Sequence, residues 1–202
     1  WHGTPEAVPE GAAVRFSYTS VHGEDGYPGE LACEILYTLT RANGLRIDYL
    51  ARTDRATPVN LTNHCYFNLL GHDAGSILEH VIRVRAARYT ERDETGIPTG
   101  TILPVEGTPL DLQQSTTVGD QIDELKQSGG YDHNFVIDRW DGETLRMIAE
   151  VIEPLRGRRM EVHTTQPGVQ FYTGNFLSGL EGKAGAVYNR HAGLCLETQH
   201  FP

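Results

Sequence analysis

The stretch LACEILYTLTRANGLRIDYLART, residues 31–53, indicates the fold class. Apolar or aromatic residues occupy every second position in both halves: Leu31, Cys33, Ile35, Tyr37 and Leu39, then Leu45, Ile47 and Tyr49. Alternation over runs this short is typical of half-buried antiparallel strands. Because Asn43-Gly44 separates the two runs, we expect a tight hairpin between them.

Similar alternating runs recur along the rest of the chain. They are HVIRVRAARY (80–89), NFVIDRW (134–140), TLRMIAEVI (144–152), RMEVHTT (159–165), VQFYTGN (169–175) and LCLETQHF (194–201). The 22 glycines and 10 prolines supply turns, and only VGDQIDELKQ (118–127) suggests one short helix or turn. The pattern predicts an all-β fold with few short helices, a large antiparallel β-sandwich rather than a barrel.

Domain organisation and surroundings follow from composition. No linker divides the 202 residues, so we expect one β-sandwich domain over 1–202, incomplete at both ends because it begins at Trp1 and stops directly after an apolar run. A net charge of −10 argues against nucleic acid as a partner. No apolar run is long enough to span a membrane. Three cysteines without a CxxC pair indicate free thiols in a reducing, cytoplasmic location.

The segment TNHCYFNLLG (62–71) contains the first candidate functional group. On a strand, His64, Tyr66 and Asn68 would share a face that is too polar for a core and too aromatic for a plain surface. A hydrogen-bonded structural histidine is the common alternative. A metal site is less favoured, because no His-x-His spacing or second ligand cluster is present.

Two further segments place polar residues among apolar strands. In GGYDHNF (129–135), Asp132 either forms a turn or holds a hydroxyl-rich ligand at a strand end. In GLCLETQHFP (193–202), Glu197 lies in an apolar strand, where burial would raise its pKa toward that of a useful base. Both a structural and a catalytic role remain open for Glu197.

The segment QPGVQFYTGN (166–175) adds Gln170, Tyr172 and Asn175, whose amide and phenol groups suit hydroxyl recognition. One histidine and one glutamate on different strands, with amides and an aspartate beside them, suit general acid–base chemistry on a polar, uncharged substrate. The residues alone do not name that substrate.

At these residues the chain resembles the aldose 1-epimerase (galactose mutarotase) family. The matching motifs occur in the family's order and extend over essentially the whole chain: GEDGYPGEL (23–31), TPVNLTNHCYFNL (57–69), GYDHNF (130–135), QPGVQFYTGNFLSG (166–179) and LCLETQHFP (194–202). The resemblance implies a large antiparallel β-sandwich. It also implies a cofactor-independent isomerase that interconverts the α and β anomers of free hexoses such as glucose and galactose.

The resemblance also implies residue roles. His64 would be the general acid that protonates the ring oxygen, and Glu197 the general base that takes the anomeric proton. Substrate would be bound by His64, Asp132 and Gln170, with Tyr66 and the Cys65 backbone beside them. No metal, nucleotide or covalent adduct is implied, and whether the protein is a monomer or a homodimer stays open.

Some features depart from the family pattern or favour other functions. Cys65 replaces a small hydroxyl residue, His22 replaces a more usual turn residue, and a sugar-binding histidine, an Asn-Arg pair and a last strand are expected outside residues 1–202. A non-catalytic sugar-binding or sensor module is one alternative. A sugar-phosphate epimerase would need arginines at the site, whereas Arg156, Arg158 and Arg159 suggest a solvated turn. A metal-dependent β-barrel enzyme lacks the required ligand spacing.

Overall fold

The computed structural model describes residues 1–202, which divide into two compact units, residues 1–61 and 62–202. Regular structure is almost entirely antiparallel strand, which confirms the predicted all-β class. The three helices are 3-10 turns of three residues each, and none of them is long or apolar enough to cross a membrane. A single domain over the whole chain stays a prediction.

The first unit is a four-stranded antiparallel sheet in which consecutive strands are neighbours. Its strands are β1 (His2–Val8), β2 (Gly11–Ser20), β3 (Leu31–Thr40) and β4 (Leu45–Thr53). The predicted hairpin joins β3 to β4, and the Thr40 amide donates to the Gly44 carbonyl across the turn at 2.8 Å. Asn43 has a φ of 60°, a left-handed conformation that asparagine tolerates better than most residues.

The second unit contains two larger antiparallel sheets and a small ribbon. Its strands are β5 (Val81–Val84), β6 (Arg88–Arg92), β7 (Pro98–Pro104), β8 (Thr116–Thr117), β9 (Asp132–Val136), β10 (Arg146–Glu153), β11 (Arg158–Thr164), β12 (Gly168–Tyr172), β13 (Leu180–Glu181), β14 (Val187–Tyr188) and β15 (Cys195–Gln199). One sheet has the order β11-β10-β5-β8 and the other β15-β12-β9-β6-β7, while β13 pairs with β14.

The two larger sheets share one hydrophobic core. Ile82 and Val151 from the first sheet belong to the same buried cluster as Phe135, Phe171 and Leu196 from the second. This packing makes the second unit a β-sandwich, as predicted. Since side chains alternate along a strand, the residues between these core positions point to the opposite face of the second sheet.

Replacing Phe171 with alanine is expected to reduce the free energy of unfolding by about 3–5 kcal/mol, because a fully buried ring leaves a cavity. Chemical denaturation of the variant measures this change. Phe176→Ala is the matched control, since that ring is 74% exposed, and it should change stability by only about 0.5 kcal/mol. Similar losses from both variants would contradict the assignment of Phe171 to the core.

One local prediction differs from the structure and another is confirmed. Residues 62–71 form no strand, and only one isolated bridge pairs Phe67 with Leu194. The Asn68 side chain accepts from the Leu70 amide and donates to the Gly75 and Ala192 carbonyls, so the chain turns immediately after that bridge. The helical signal at 118–127 corresponds to a single turn, Ile122–Glu124.

Candidate active site

A cleft lies on the face of the second sheet that points away from the core. Its floor consists of alternate residues from four neighbouring strands: Thr90 and Arg92 from β6, Asp132 and Asn134 from β9, Gln170 and Tyr172 from β12, and Glu197 and Gln199 from β15. Gln170 pairs in register with Asn134 on one side and Glu197 on the other. The cavity volume of about 520 Å³ suits a small molecule.

The bridge between Phe67 and Leu194 positions the segment that contains His64 next to this cleft. Phe67 and Leu194 exchange two backbone hydrogen bonds of 2.8 and 2.9 Å. An antiparallel alignment continued from this bridge places His64, three residues before Phe67, opposite Glu197, three residues after Leu194. The Thr62 hydroxyl donates to the Thr198 carbonyl at 3.0 Å, which holds the segment along β15. Two residues distant in the chain are therefore neighbours.

The imidazole and the carboxylate face each other at close range. His64 Nε2 lies 3.7 Å from Glu197 Oε1, and His64 Nδ1 lies 3.4 Å from Cys195 Sγ. The His64 side chain is 52% exposed, whereas that of Glu197 is only 12% exposed. The His64 imidazole is therefore accessible to water, whereas the Glu197 carboxylate is largely buried.

Burial raises the pKa of Glu197 above its ordinary value. The positive charge available on His64 opposes this rise, and the Asp132 carboxylate adds to it. A carboxylate with a raised pKa is a stronger base once it is ionised. Of the two roles left open by the sequence, this environment favours the catalytic one.

Tyr66 and Cys195 surround the pair with neutral groups. Desolvation, together with the nearby Cys195, raises the pKa of Tyr66 to about 12. Burial, followed by the Glu197 charge, raises the pKa of the Cys195 thiol. The Tyr66 ring lies 5.1 Å from that of His64 and 6.2 Å from that of Tyr172. A phenol and a thiol therefore lie beside the imidazole at neutral pH.

One cluster could also hold a metal ion. Donor atoms of His64, Cys195 and Glu197 lie within 4.8 Å of one another. Zinc accepts this donor set, but the Cys195 thiol would have to lose its proton, and burial opposes that loss. The donor set fits acid–base chemistry without such a step, and the expectation that the site needs no metal stays a prediction.

Asp132 is held in position by its neighbours in the cleft. Gln170 Nε2 donates to one carboxylate oxygen of Asp132 at 2.7 Å, and Arg92 Nη1 lies 3.5 Å from the other. Gly130, with a φ of 148°, precedes this strand at a place where a Cβ would lie 2.3 Å from Asn175 Oδ1. Only glycine fits this close approach, which lets β9 begin with Asp132 in the cleft.

His133 and Asn175 are buried polar residues close to Asp132 and Tyr131. His133 is buried, and burial together with Arg92 lowers its pKa to about 3, so it is neutral. Asn175 donates to the Tyr131 carbonyl at 2.9 Å and accepts from the Thr173 hydroxyl at 2.6 Å. The expectation that the Asn175 amide recognises a ligand is therefore wrong, because it stabilises the turn before β9 and does not line the cleft.

Of the six site residues predicted from the sequence, five line the cleft: His64, Tyr66, Asp132, Gln170 and Glu197. Cys65 does not.

The arginines considered in the sequence lie elsewhere. Arg158 donates to the Leu69 and Leu70 carbonyls, Arg159 forms ion pairs with Glu150 and Glu161, and no side chain of Arg156, Arg158 or Arg159 lines the cleft. Arg92 does line the cleft, although the sequence motifs did not indicate a role for it. The alternation in RYTER (88–92) was the available signal, because it places Arg92 on the same face as Thr90.

The family model described as Aldose 1-epimerase matches residues 1–202. The galactose mutarotase of Mus musculus is 48% identical over 200 residues, which are 98% of this chain and 57% of that protein. The aldose 1-epimerase of Haemophilus influenzae is 36% identical over 197 residues, 94% of this chain and 56% of that protein.

Solved structures give the same result for the fold. The crystal structure of galactose 1-epimerase from Lactobacillus acidophilus matches with a TM-score of 0.86 and 26% sequence identity. The match covers 100% of this chain and 58% of that chain. The chain thus spans little more than half the length of the relatives that it matches.

Proposed function

Because the chain belongs to the aldose 1-epimerase family, we propose that the protein interconverts the α and β anomers of free hexoses such as glucose and galactose. The observation that supports this most is the 3.7 Å separation of His64 Nε2 and Glu197 Oε1 in a cleft lined by Asp132 and Gln170. Anomer exchange requires an acid and a base that act on two oxygens bonded to the same carbon. Adjacent groups in one cleft satisfy that requirement.

Glu197 removes the proton from the anomeric hydroxyl, and His64 protonates the ring oxygen as the bond from that oxygen to the anomeric carbon breaks. The products of this step are the open-chain aldehyde, a protonated Glu197 and a neutral His64. Rotation about the C1–C2 bond presents the other face of the aldehyde. Ring closure then returns one proton to the new anomeric oxygen and the other to His64, so the enzyme regains its starting state.

The other groups in the cleft suit a neutral, hydroxyl-rich substrate. Asp132 accepts hydrogen bonds from sugar hydroxyls, and Gln170, which already holds Asp132 at 2.7 Å, still has its carbonyl oxygen available as an acceptor. The Tyr172 ring also lines this cleft. Since the chain has a net charge of −10, neutral sugars are also favoured over anionic ligands in the surrounding field.

Polarimetry tests the proposal directly. Adding the full-length protein to freshly dissolved α-D-glucose or α-D-galactose should speed the approach to the equilibrium rotation. Unchanged rates, with hexose binding still detected by calorimetry, would identify a non-catalytic sugar-binding module instead. Unchanged rates without binding would contradict both interpretations.

The acidic limb of the pH profile is expected to reflect Glu197. Because the pKa of this carboxyl is raised, it loses its negative charge at a higher pH than an ordinary glutamate, whose pKa is about 4.3. Thus kcat/KM should decline with falling pH well before that value is reached. Polarimetric rates measured across the acidic range test this, and a decline centred on the ordinary glutamate value would contradict the assigned base.

We also propose a reducing, cytoplasmic location, which the three free cysteines support. Their side chains are buried or half-buried, as unmodified thiols commonly are.

A further inference from the structure

Arg92 lies in the floor of the cleft without a full set of hydrogen-bond partners. It lies on β6 next to Asp132, and its side chain is 19% exposed. Its closest carboxylate oxygen, Asp132 Oδ2, is 3.5 Å away, longer than a strong charge-assisted hydrogen bond. The other Asp132 oxygen already accepts from Gln170. The guanidinium therefore reaches the cleft with N–H groups that the chain does not use.

Unused donors on a partly buried cation are costly unless a ligand accepts them. A guanidinium offers five N–H groups in a flat fork, and sugar hydroxyl oxygens are suitable acceptors. Asp132 and Glu197 supply negative charge on the same surface, which disfavours an anionic ligand and favours a neutral polyhydroxyl one. Arg92 and Asp132 together present donors and an acceptor side by side.

We propose that Arg92 is a specificity-determining residue that donates hydrogen bonds to one sugar hydroxyl, next to the hydroxyl that Asp132 binds. This inference rests on the proposed function and extends it, since no role for this residue follows from the motifs that define the site. The pairing distinguishes substrates by the position of their hydroxyl groups, because only a correctly placed oxygen can reach the fork.

Arg88 provides a matched control on the same strand and the same face. Its Nε and Nη2 groups donate to Asp138 Oδ1 at 3.2 and 2.6 Å, and it does not line the cleft. These two arginines lie four residues apart on one strand and differ in what their guanidinium groups contact. Arg88 has its partner within the chain, whereas Arg92 faces the cavity.

The test compares Arg92→Met with Arg88→Met and the wild-type protein. The kcat/KM values are measured for glucose and for its 2-, 3-, 4- and 6-deoxy analogues. Arg92→Met should lower kcat/KM for glucose by about 10–100-fold, as expected for a lost hydrogen bond from a charged donor. For one deoxy analogue the same substitution should have little further effect, because the contact is already missing. Arg88→Met should behave as wild type with every sugar.

An equal loss with glucose and all analogues, accompanied by a shifted pH profile, would show that Arg92 acts only through Asp132 and would overturn the inference. No loss at all would overturn it as well. Arg92→Lys keeps the positive charge and serves as the second variant if the methionine variant fails to fold, and it should show the same selective pattern, more weakly.

A failure of the proposed function can be recognised separately. If the wild-type protein binds glucose but does not turn it over, calorimetry with the same sugars and variants tests Arg92 by affinity alone. If it neither binds nor turns over any of these sugars, both the function and the inference are overturned.

Discussion

Replacing Glu197 with glutamine is expected to lower kcat/KM for anomer exchange by about 10²–10⁴-fold, the usual contribution of one positioned general base. Glutamine has nearly the same shape and keeps a polar group opposite Gln170, so the cleft should persist. It cannot take a proton from the anomeric hydroxyl. Polarimetry with fresh α-D-glucose measures the loss, and calorimetry should show that hexose binding survives.

The same variant should be more stable than the wild-type protein at neutral pH. A carboxyl whose pKa is higher in the folded state than in the unfolded state reduces stability as pH rises through the interval between these two values. Glutamine removes that penalty, so the melting temperature should rise at pH 7 and the difference should vanish below about pH 4, where the unfolded chain is also protonated. Lost activity with gained stability is a combination that damage to the fold cannot produce.

Glu153→Gln is the matched control, because Glu153 is another buried glutamate of the same unit, outside the cleft. Its carboxylate accepts from the Leu155 and Arg156 amides at 2.6 and 2.8 Å. The control should lose stability and keep its activity, the reverse of Glu197→Gln. Near wild-type turnover by Glu197→Gln would remove this residue from the mechanism.

Local sequence pattern was sufficient for the sheets and for the faces of individual strands. In β12 and β15, alternation correctly separated Phe171 and Leu196, in the core, from Gln170 and Glu197, in the cleft. The reason is that a strand has only two faces and one of them must be buried. The alternation predicted a strand incorrectly at residues 62–71. There the Asn68 side chain accepts from the Leu70 amide, and the chain turns instead of continuing to pair with a neighbouring strand.

The proximity of His64 to Glu197 could not be derived from the local alternation of apolar and polar residues. It depends on one bridge, Phe67–Leu194, between segments more than a hundred residues apart, and periodicity contains no information about register at that range. The family resemblance supplied this pair instead. Arg92 was missed for a related reason, since its significance comes from the neighbouring strand that contains Asp132 and not from its own sequence surroundings.

His64→Asn is expected to lower kcat/KM by about 10²–10⁴-fold, because the ring oxygen would then leave without a proton donor. The double variant with Glu197→Gln should be little worse than the more damaged single variant, since an acid and a base that act in one step are strongly non-additive. His163→Asn is the control: His163 is an exposed histidine that pairs with Glu161 at 3.2 Å and lies outside the cleft. Polarimetry of the wild-type protein, the two single variants and the double variant measures the coupling between His64 and Glu197, and His163→Asn should keep wild-type activity.

The pH profile of the residual activity tests whether His64 carries its positive charge next to Glu197. The positive charge of His64 lowers the pKa of Glu197, so its removal should raise that pKa further and move the acidic limb to higher pH. A histidine that carries no charge beside Glu197 would leave the limb where it is. Independent losses that multiply in the double variant, together with an unmoved limb, would show that the two groups do not share one proton-transfer step, even though their atoms lie 3.7 Å apart.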